Sequence, residues 1–92
     1  MSEAKAKSTG IDTMNVKIYA PFKVYFEGPA LSVSATNRLG PFDVLPHHHN
    51  FITLLQPGNV VVRPPQSADF KLPITKGIMH VRADTVKVFL DV

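Results

Sequence analysis

The stretch IMHVRADTVKVF, residues 78–89, alternates apolar and polar side chains on either side of Ala83 and Asp84. This alternation predicts two half-buried strands, and an aspartate suits the left-handed backbone that a two-residue turn often needs. A turn at these two residues places Ile78 opposite Phe89 across a hairpin. The register assigns Met79, Val81, Val86 and Val88 to the core face, and Ile78, His80, Arg82, Thr85, Lys87 and Phe89 to the outer face.

The same alternation occurs along residues 14–19 and 31–36, and turns that contain Gly or Pro separate such segments at short spacing. Between the turns no stretch is long enough for a substantial helix. Because a proline cannot donate a backbone hydrogen bond to a sheet, Pro73 indicates an edge strand. Many short strands of this kind predict an all-β fold, either a sandwich or a barrel.

The composition suits one small domain, since the chain has 92 residues, of which 45% are hydrophobic. Residues 1–13 are poor in large apolar side chains and are predicted to be a disordered tail, which leaves residues 14–92 as the domain. The cations of the domain are spread singly along the sequence, so we expect no nucleic-acid partner. No apolar run reaches the ~20 residues that cross a bilayer as a helix.

The outer-face pair of Ile78 and Phe89 is apolar at positions where polar side chains would be expected. We interpret it as a candidate docking patch for a partner protein. The alternative is that a loop or a second sheet covers the pair.

Three adjacent histidines, His47, His48 and His49, form the most conspicuous polar cluster. Histidine is the commonest metal ligand, yet a closed zinc site needs four ligands and the chain has no cysteine. A solvated or hydrogen-bonded loop is the favoured interpretation, and a free-standing module that binds a ligand or metal through this loop is the alternative. The sequence also lacks a Gly-x-Ser-x-Gly motif and a Gly-rich phosphate loop, so we expect neither catalysis nor a bound cofactor or metal.

Three segments resemble the epsilon subunit of F-type ATP synthases, which is called delta in mitochondria. They are GPFDVLPHH at residues 40–48, FITLLQPG at residues 51–58 and ITKGIMHV at residues 74–81. That family typically has Gly-Glu-Phe-Gly-Val-Leu-Pro-Gly-His, then a short apolar strand that ends in Leu-x-Pro-Gly, at the same spacing. The resemblance covers residues 14–92.

The resemblance implies an antiparallel β-sandwich of about ten short strands. It further implies a non-catalytic subunit of the central stalk that couples the ring of c subunits to the gamma subunit. Its place would be peripheral, at the cytoplasmic face of the energy-transducing membrane, and it would meet the membrane only through the complex. Many family members continue into a two-helix domain, whereas this sequence ends at Val92. We therefore expect no C-terminal helical hairpin, no ATP binding and no inhibition of rotation.

By the same resemblance, the residues that face the c ring would be Arg38, Leu39, Gly40, Pro41 and His48. Here the sequence departs from the family, because Pro41 replaces an acidic residue and Arg38 adds a cation nearby, which alters the expected charge complementarity. The Ile78 and Phe89 pair is compatible with docking to gamma.

Overall fold

The computed structural model describes residues 12–90 of the chain. Every regular element in this range is a β-strand, and none is a helix. The nine strands are β1 (Met14–Ala20), β2 (Lys23–Ala30), β3 (Ser32–Asn37), β4 (Gly40–Val44), β5 (Phe51–Leu55), β6 (Gly58–Arg63), β7 (Phe70–Ile74), β8 (Gly77–Arg82) and β9 (Thr85–Leu90). The predicted all-β class is confirmed. Residues 1–11, and with them most of the predicted disordered tail, lie outside the described residues.

Backbone pairing joins the strands in the order β2-β1-β9-β8-β5-β3-β6-β7. β4 pairs with the edge of β3 opposite to the one that pairs with β5 and β6. β3 and β5 share a single paired position, Asn37 with Leu55, and we divide the sheet there into two layers. The first layer is β2-β1-β9-β8-β5, and the second is β4-β3-β6-β7. β7, which contains Pro73, is the last strand in this order, so the predicted edge position of Pro73 is confirmed.

One pairing differs from the predicted antiparallel arrangement. β1 and β9 run parallel, with Asn15 beside Thr85 and Tyr19 beside Phe89. Antiparallel neighbours are often joined by a short turn that fixes their direction, whereas these two strands are separated by most of the chain. Alternation of side chains does not reveal strand direction, so the sequence pattern could not show this pairing.

A single core lies between the two layers, and all nine strands of the described residues contribute to it. The buried apolar side chains are Met14, Val16, Ile18, Ala20, Ala30, Val33, Ala35, Val44, Leu55, Val60, Val62, Ile74, Met79, Val81, Val86, Val88 and Leu90. Complete burial of one Val, Leu, Ile or Met side chain stabilises a fold by about 1.5–3 kcal/mol. The core therefore holds the layers together without a disulfide, since the chain has no cysteine.

Aromatic pairs close both open sides of the sandwich. Phe26 of β2 and Phe70 of β7 have ring centroids 5.3 Å apart, although these strands begin and end the strand order. On the other side Phe42 of β4 and Phe51 of β5 have centroids 6.2 Å apart. Contacts at both sides show that the sheet curls over the core as a sandwich.

The β8–β9 hairpin has the register that the sequence predicts. Arg82 pairs with Thr85 and Ile78 with Phe89, and the turn residues Ala83 and Asp84 have φ angles of 49° and 60°. Positive φ at both central residues is the conformation of a type I′ turn, whose twist matches that of the flanking strands. The four predicted core residues of this hairpin are buried, and the predicted outer face is exposed or half-buried.

The strand registers place the connections at two opposite ends of the sandwich. One end is marked by four residues that are successive neighbours in the strand register: Asn37, Leu55, Gly77 and Leu90. This first end carries the turns at residues 21–22, 38–39, 56–57 and 75–76. The second end carries the turn at residues 83–84 and the loops at residues 45–50 and 64–69.

Candidate docking surfaces

The β3–β4 hairpin holds four of the five residues that the resemblance assigned to the c ring. Its two turn residues are Arg38 and Leu39, and Asn37 pairs with Gly40 below them. The side-chain Oδ1 of Asn37 accepts a hydrogen bond from the backbone N–H of Leu39 at 2.8 Å, which fixes the turn locally. Gly40 has a φ of 121°, which other residues rarely adopt. The turn therefore presents Leu39 to solvent with 91% of its surface exposed.

Phe22 is a second exposed apolar residue at the first end of the sandwich, and it was not among the predicted site residues. It lies in the β1–β2 turn and is fully exposed. A large aromatic side chain directly after Pro21, inside a turn, was the available signal, because turns favour small and polar residues. A shallow groove of about 310 Å³ runs from Leu39 along β5 to Leu54. The first end thus combines projecting apolar side chains with the Arg38 cation.

The outer face of the first layer carries the predicted Ile78 and Phe89 pair. The two residues are direct neighbours across β8 and β9 and are 44% and 37% exposed. The ring of Tyr19 packs edge-on against that of Phe89, with centroids 5.3 Å apart. No described segment covers the pair, so within residues 12–90 the alternative of a covering loop or sheet does not hold.

His48 lies at the second end, away from the β3–β4 hairpin. β4 runs from Gly40 at the first end to Val44, which pairs with Val33, and His48 follows in the loop beyond. Five residues of strand span about 17 Å. The structure therefore does not bring His48 together with Arg38, Leu39, Gly40 and Pro41, and the predicted five-residue set divides between opposite ends. Its members are close in sequence, but the strand between them is extended.

The histidine loop is attached to the β8–β9 turn. The backbone N–H of His47 donates to Asp84 Oδ1 at 2.6 Å, and the N–H of Ala83 donates to Asn50 Oδ1 at 3.1 Å. The His47 ring lies 3.0 Å from Asp12 Oδ2 through Nε2, and 3.5 Å from Asp84 Oδ2 through Nδ1. The hydrogen bond to Asp12, assisted by the charge of Asp84, raises the pKa of His47 above its ordinary value.

The rings of the other two histidines stack on each other and contact the ring of Phe51 at a tilted angle. The ring centroids of His48 and His49 are 4.3 Å apart, and His48 lies 4.8 Å from Phe51. His48 Nδ1 is also 2.8 Å from the backbone oxygen of His49. Within residues 12–90 no three His, Asp or Glu side chains are arranged to hold a metal ion. The loop is mostly exposed and hydrogen-bonded, which agrees with the favoured interpretation of a solvated or hydrogen-bonded loop.

A family model described as ATP synthase, Delta/Epsilon chain, beta-sandwich domain matches residues 13–92. The chain belongs to this delta/epsilon family. The resemblance drawn from the Gly-Pro-Phe-Asp-Val-Leu-Pro-His-His segment and its neighbours is therefore confirmed, and so is the predicted β-sandwich.

Curated relatives carry the name ATP synthase epsilon chain. The one from Stenotrophomonas maltophilia is 35% identical over 81 residues, which is 88% of this chain and 58% of the relative. The one from Xanthomonas euvesicatoria is 33% identical over the same number of residues. The chain thus spans less than two thirds of the length of these relatives.

Solved structures show the same fold at lower sequence identity. A chain of the Euglena gracilis mitochondrial ATP synthase, in an assembly described as OSCP/F1/c-ring, matches with a TM-score of 0.78 and 17% identity over 97% of this chain and 59% of its own length. A chain of the Tetrahymena thermophila mitochondrial ATP synthase, described as central stalk/c-ring, matches with a TM-score of 0.72 and 18% identity over 86% of this chain and 63% of its own. Among residues 12–90 of the present chain, no helix has the length and hydropathy needed to span a membrane.

Proposed function

We propose that this chain is a non-catalytic subunit of the central stalk in a rotary, proton-translocating ATP synthase, where it couples the c ring to the gamma subunit. The observation that carries the proposal is that one sandwich of the delta/epsilon family has two exposed apolar surfaces, one at its first end and one on the adjoining outer face of the first layer. A coupling part needs two docking sites on one stiff body. The names of the relatives and the assemblies of the solved structures point to the same role.

The stiff body follows from the packing described above. The two layers share one core, and aromatic pairs close both open sides. Close-packed protein interiors have low compressibility and transmit strain. A torque applied at one docking surface would therefore be transmitted to the other with little deformation of the sandwich.

The first proposed contact joins the β3–β4 hairpin to the c ring. Leu39 supplies an exposed apolar tip and Arg38 a cation, on a turn fixed by the hydrogen bond from Leu39 to Asn37. Phe22 extends the same end and belongs to the proposed contact, whereas His48 does not, because it lies at the second end. Arg38, a cation near the Pro41 that replaces the family's acidic residue, favours acidic or backbone carbonyl groups on the ring loops.

The second proposed contact places gamma on the outer face of the first layer, at Ile78 and Phe89. Exposed apolar neighbours on a sheet face are typical of a surface that another protein covers. In this arrangement the chain is peripheral, at the cytoplasmic face of the energy-transducing membrane, and binds neither nucleic acid nor a cofactor.

Co-purification with the gamma subunit of the same organism tests the second contact. We expect gamma to be retained by the chain and lost, or bound at least about tenfold more weakly, with a Phe89→Ser protein that remains folded, although loss of the contact with Tyr19 lowers its thermal stability. Gln66→Ser, in the exposed β6–β7 loop, is the matched control and should retain gamma fully. Equal retention by both variants would place gamma elsewhere, and no retention by the unmodified chain would refute the proposed role.

A further inference from the structure

A continuous row of apolar and aromatic side chains crosses all five strands of the first layer. Each member is the direct neighbour of the next in the strand register. In order across the face they are Val24, Tyr19, Phe89, Ile78 and Leu54. Val24 and Leu54, at the ends of the row, are 49% and 65% exposed. The predicted pair of Ile78 and Phe89 is thus the centre of a longer stripe that lies across the strands.

A row of mostly basic side chains runs beside this apolar row, toward the second end of the sandwich. Its members include Lys17 on β1, Lys87 on β9 and His80 on β8, which are neighbours in the strand register. Arg82 is the next residue of β8 after His80 that faces outward. Glu27, beside Lys17 on β2, is the acidic member of this row. Ion pairs within residues 12–90 join His47 to Asp12 and Asp84 and Arg63 to Asp69, so none of them neutralises Lys17, Lys87 or Arg82.

We propose that the apolar row and the basic row together bind one α-helix of a partner protein, which lies across the strands with an apolar stripe toward the sheet and acidic side chains along one flank. This proposal deepens the docking of gamma at Ile78 and Phe89 and rests on that proposed function. It names the chemistry of the partner's contacting element, which the function alone does not.

The spacing of the row suits a helix. Strands lie about 4.8 Å apart, so five strands place the ends of the row about 19 Å apart. A helix of about 13 residues has this length, and its apolar stripe repeats every 5.4 Å or so, close to one turn per strand. An extended segment would present every second side chain at about 6.8 Å and would lose register with the row.

Two depressions beside the apolar row extend the surface that a helix and its acidic side chains would contact. A groove of about 540 Å³ lies beside Leu54 and Ile78 and includes Gln56 and Thr75, at the first end. A depression of about 330 Å³ is lined by His80, Arg82, Ala83, Thr85 and Lys87. Carboxylates that enter this depression would meet Lys and Arg head groups, which electrostatic complementarity favours.

Two other occupants fit the surface less well. A second copy of this chain would offer the same cations and, on this face, Glu27 as its acidic group, so the basic row would stay uncompensated. An anionic lipid surface would match the charge, but the central members of the row, Phe89 and Ile78, are only 37% and 44% exposed. Side chains this shallow do not insert far into a bilayer interface, which buries apolar faces by about 5–10 Å.

A model helix tests the proposal with the intact chain. The probe is a fluorescent alanine-based helix of about 16 residues with leucines at positions i, i+4, i+7 and i+11 and glutamates along one flank. The matched control peptide carries lysines in place of the glutamates. We expect the glutamate peptide to bind at least about tenfold more tightly than the lysine peptide, with a preference that weakens as salt is raised.

Substitutions in the chain locate the binding site. Lys87→Glu combined with Arg82→Glu should reverse the preference between the two peptides, and Ile78→Ser should weaken binding of both. Lys71→Glu, an exposed charge reversal on β7 of the other layer, should change neither. Equal affinity for the two peptides, an unchanged preference in the doubly reversed variant, or binding only to vesicles that contain anionic lipid would each overturn the proposal.

Gamma binding, measured in parallel, separates this proposal from the proposed function. If gamma binds the chain but Lys87→Glu with Arg82→Glu leaves its affinity unchanged, the helix proposal fails and the function stands. If the glutamate peptide binds with the expected preference and gamma does not bind, the surface is supported and the choice of partner fails.

Discussion

Phe26 and Phe70 pack against each other at 5.3 Å between ring centroids, although their strands stand at opposite ends of the strand order. This contact closes one open side of the sandwich, and Phe42 with Phe51 closes the other. A sheet that is closed in this way leaves its outer faces and its two ends as the surfaces available to partners.

The first prediction concerns this closure. Phe70→Ala should lower the free energy of unfolding by about 1–3 kcal/mol, less than for a fully buried phenylalanine because the ring is half-buried. Urea denaturation of both single variants and of the double variant with Phe26→Ala should give a coupling energy of about 0.5–1.5 kcal/mol. Phe22→Ala, at a fully exposed ring, should change stability by less than about 0.5 kcal/mol. Strict additivity of the two single effects would show that the rings do not hold the layers together.

The second prediction concerns the close approach of β8 and β9 at Gly77. A Cβ atom at this position would lie 2.8 Å from the backbone oxygen of Phe89 and 3.1 Å from Leu90 Cδ2. Because the backbone cannot yield as a flexible side chain does, Gly77→Ala should destabilise the domain by about 1–3 kcal/mol. Thr75→Ala, two residues earlier and exposed, is the control for thermal denaturation. A Gly77→Ala protein as stable as that control would contradict the packing at this position.

The third prediction concerns the β8–β9 turn. Ala83 has a φ of 49°, a conformation that is costly for alanine and tolerated by asparagine. Ala83→Asn should therefore raise the free energy of unfolding by about 0.5–1 kcal/mol, whereas Ala83→Val should lower it, since β-branched residues avoid positive φ. Melting temperatures of the two variants measure the difference. If both shift in the same direction by the same amount, turn conformation is not what limits stability here.

The fourth prediction is a dependence of stability on pH through His47. Its pKa is raised by the hydrogen bond to Asp12 and by the charge of Asp84. A group with a raised pKa in the folded state contributes stability that is complete below its unfolded value of about 6.5 and is lost as the pH rises through the folded value. NMR titration should thus place the His47 pKa above about 6.5, and Asp12→Asn should move it back toward that value.

Two controls accompany this titration. Asp69→Asn removes an acid that pairs with Arg63 and should leave the His47 pKa unchanged. His47→Gln should abolish the part of the stability that wild type loses above about pH 6.5. A His47 that titrates at or below its ordinary value would refute the attachment of residue 12 to the histidine loop.

Much of the fold follows from local patterns that the sequence shows directly. Period-two alternation predicts the β8–β9 register and the outer position of Ile78 and Phe89, and the backbone chemistry of proline predicts the edge position of Pro73. Both patterns act over a few residues. The parallel pairing of β1 with β9 and the contact between Phe26 and Phe70 depend on packing between distant segments. No local pattern specifies those contacts.

The candidate sites divide in the same way. His48 and the Arg38 turn are near each other in sequence, so a sequence motif groups them, yet an extended strand carries them to opposite ends. Conversely, the pair of Ile78 and Phe89 gains Val24, Tyr19 and Leu54 as neighbours only when five strands are placed side by side. The apolar row could not be recognised before the strand order was known.

The most direct test of the proposed coupling role is proton-driven ATP synthesis by the cognate synthase after removal of this chain and its addition back. We predict that synthesis is lost on removal, returns with the wild-type chain, and returns far less with a folded Phe89→Ser protein at the same concentration. Synthesis at the full rate without the chain, or equal recovery with both proteins, would contradict coupling through this sandwich.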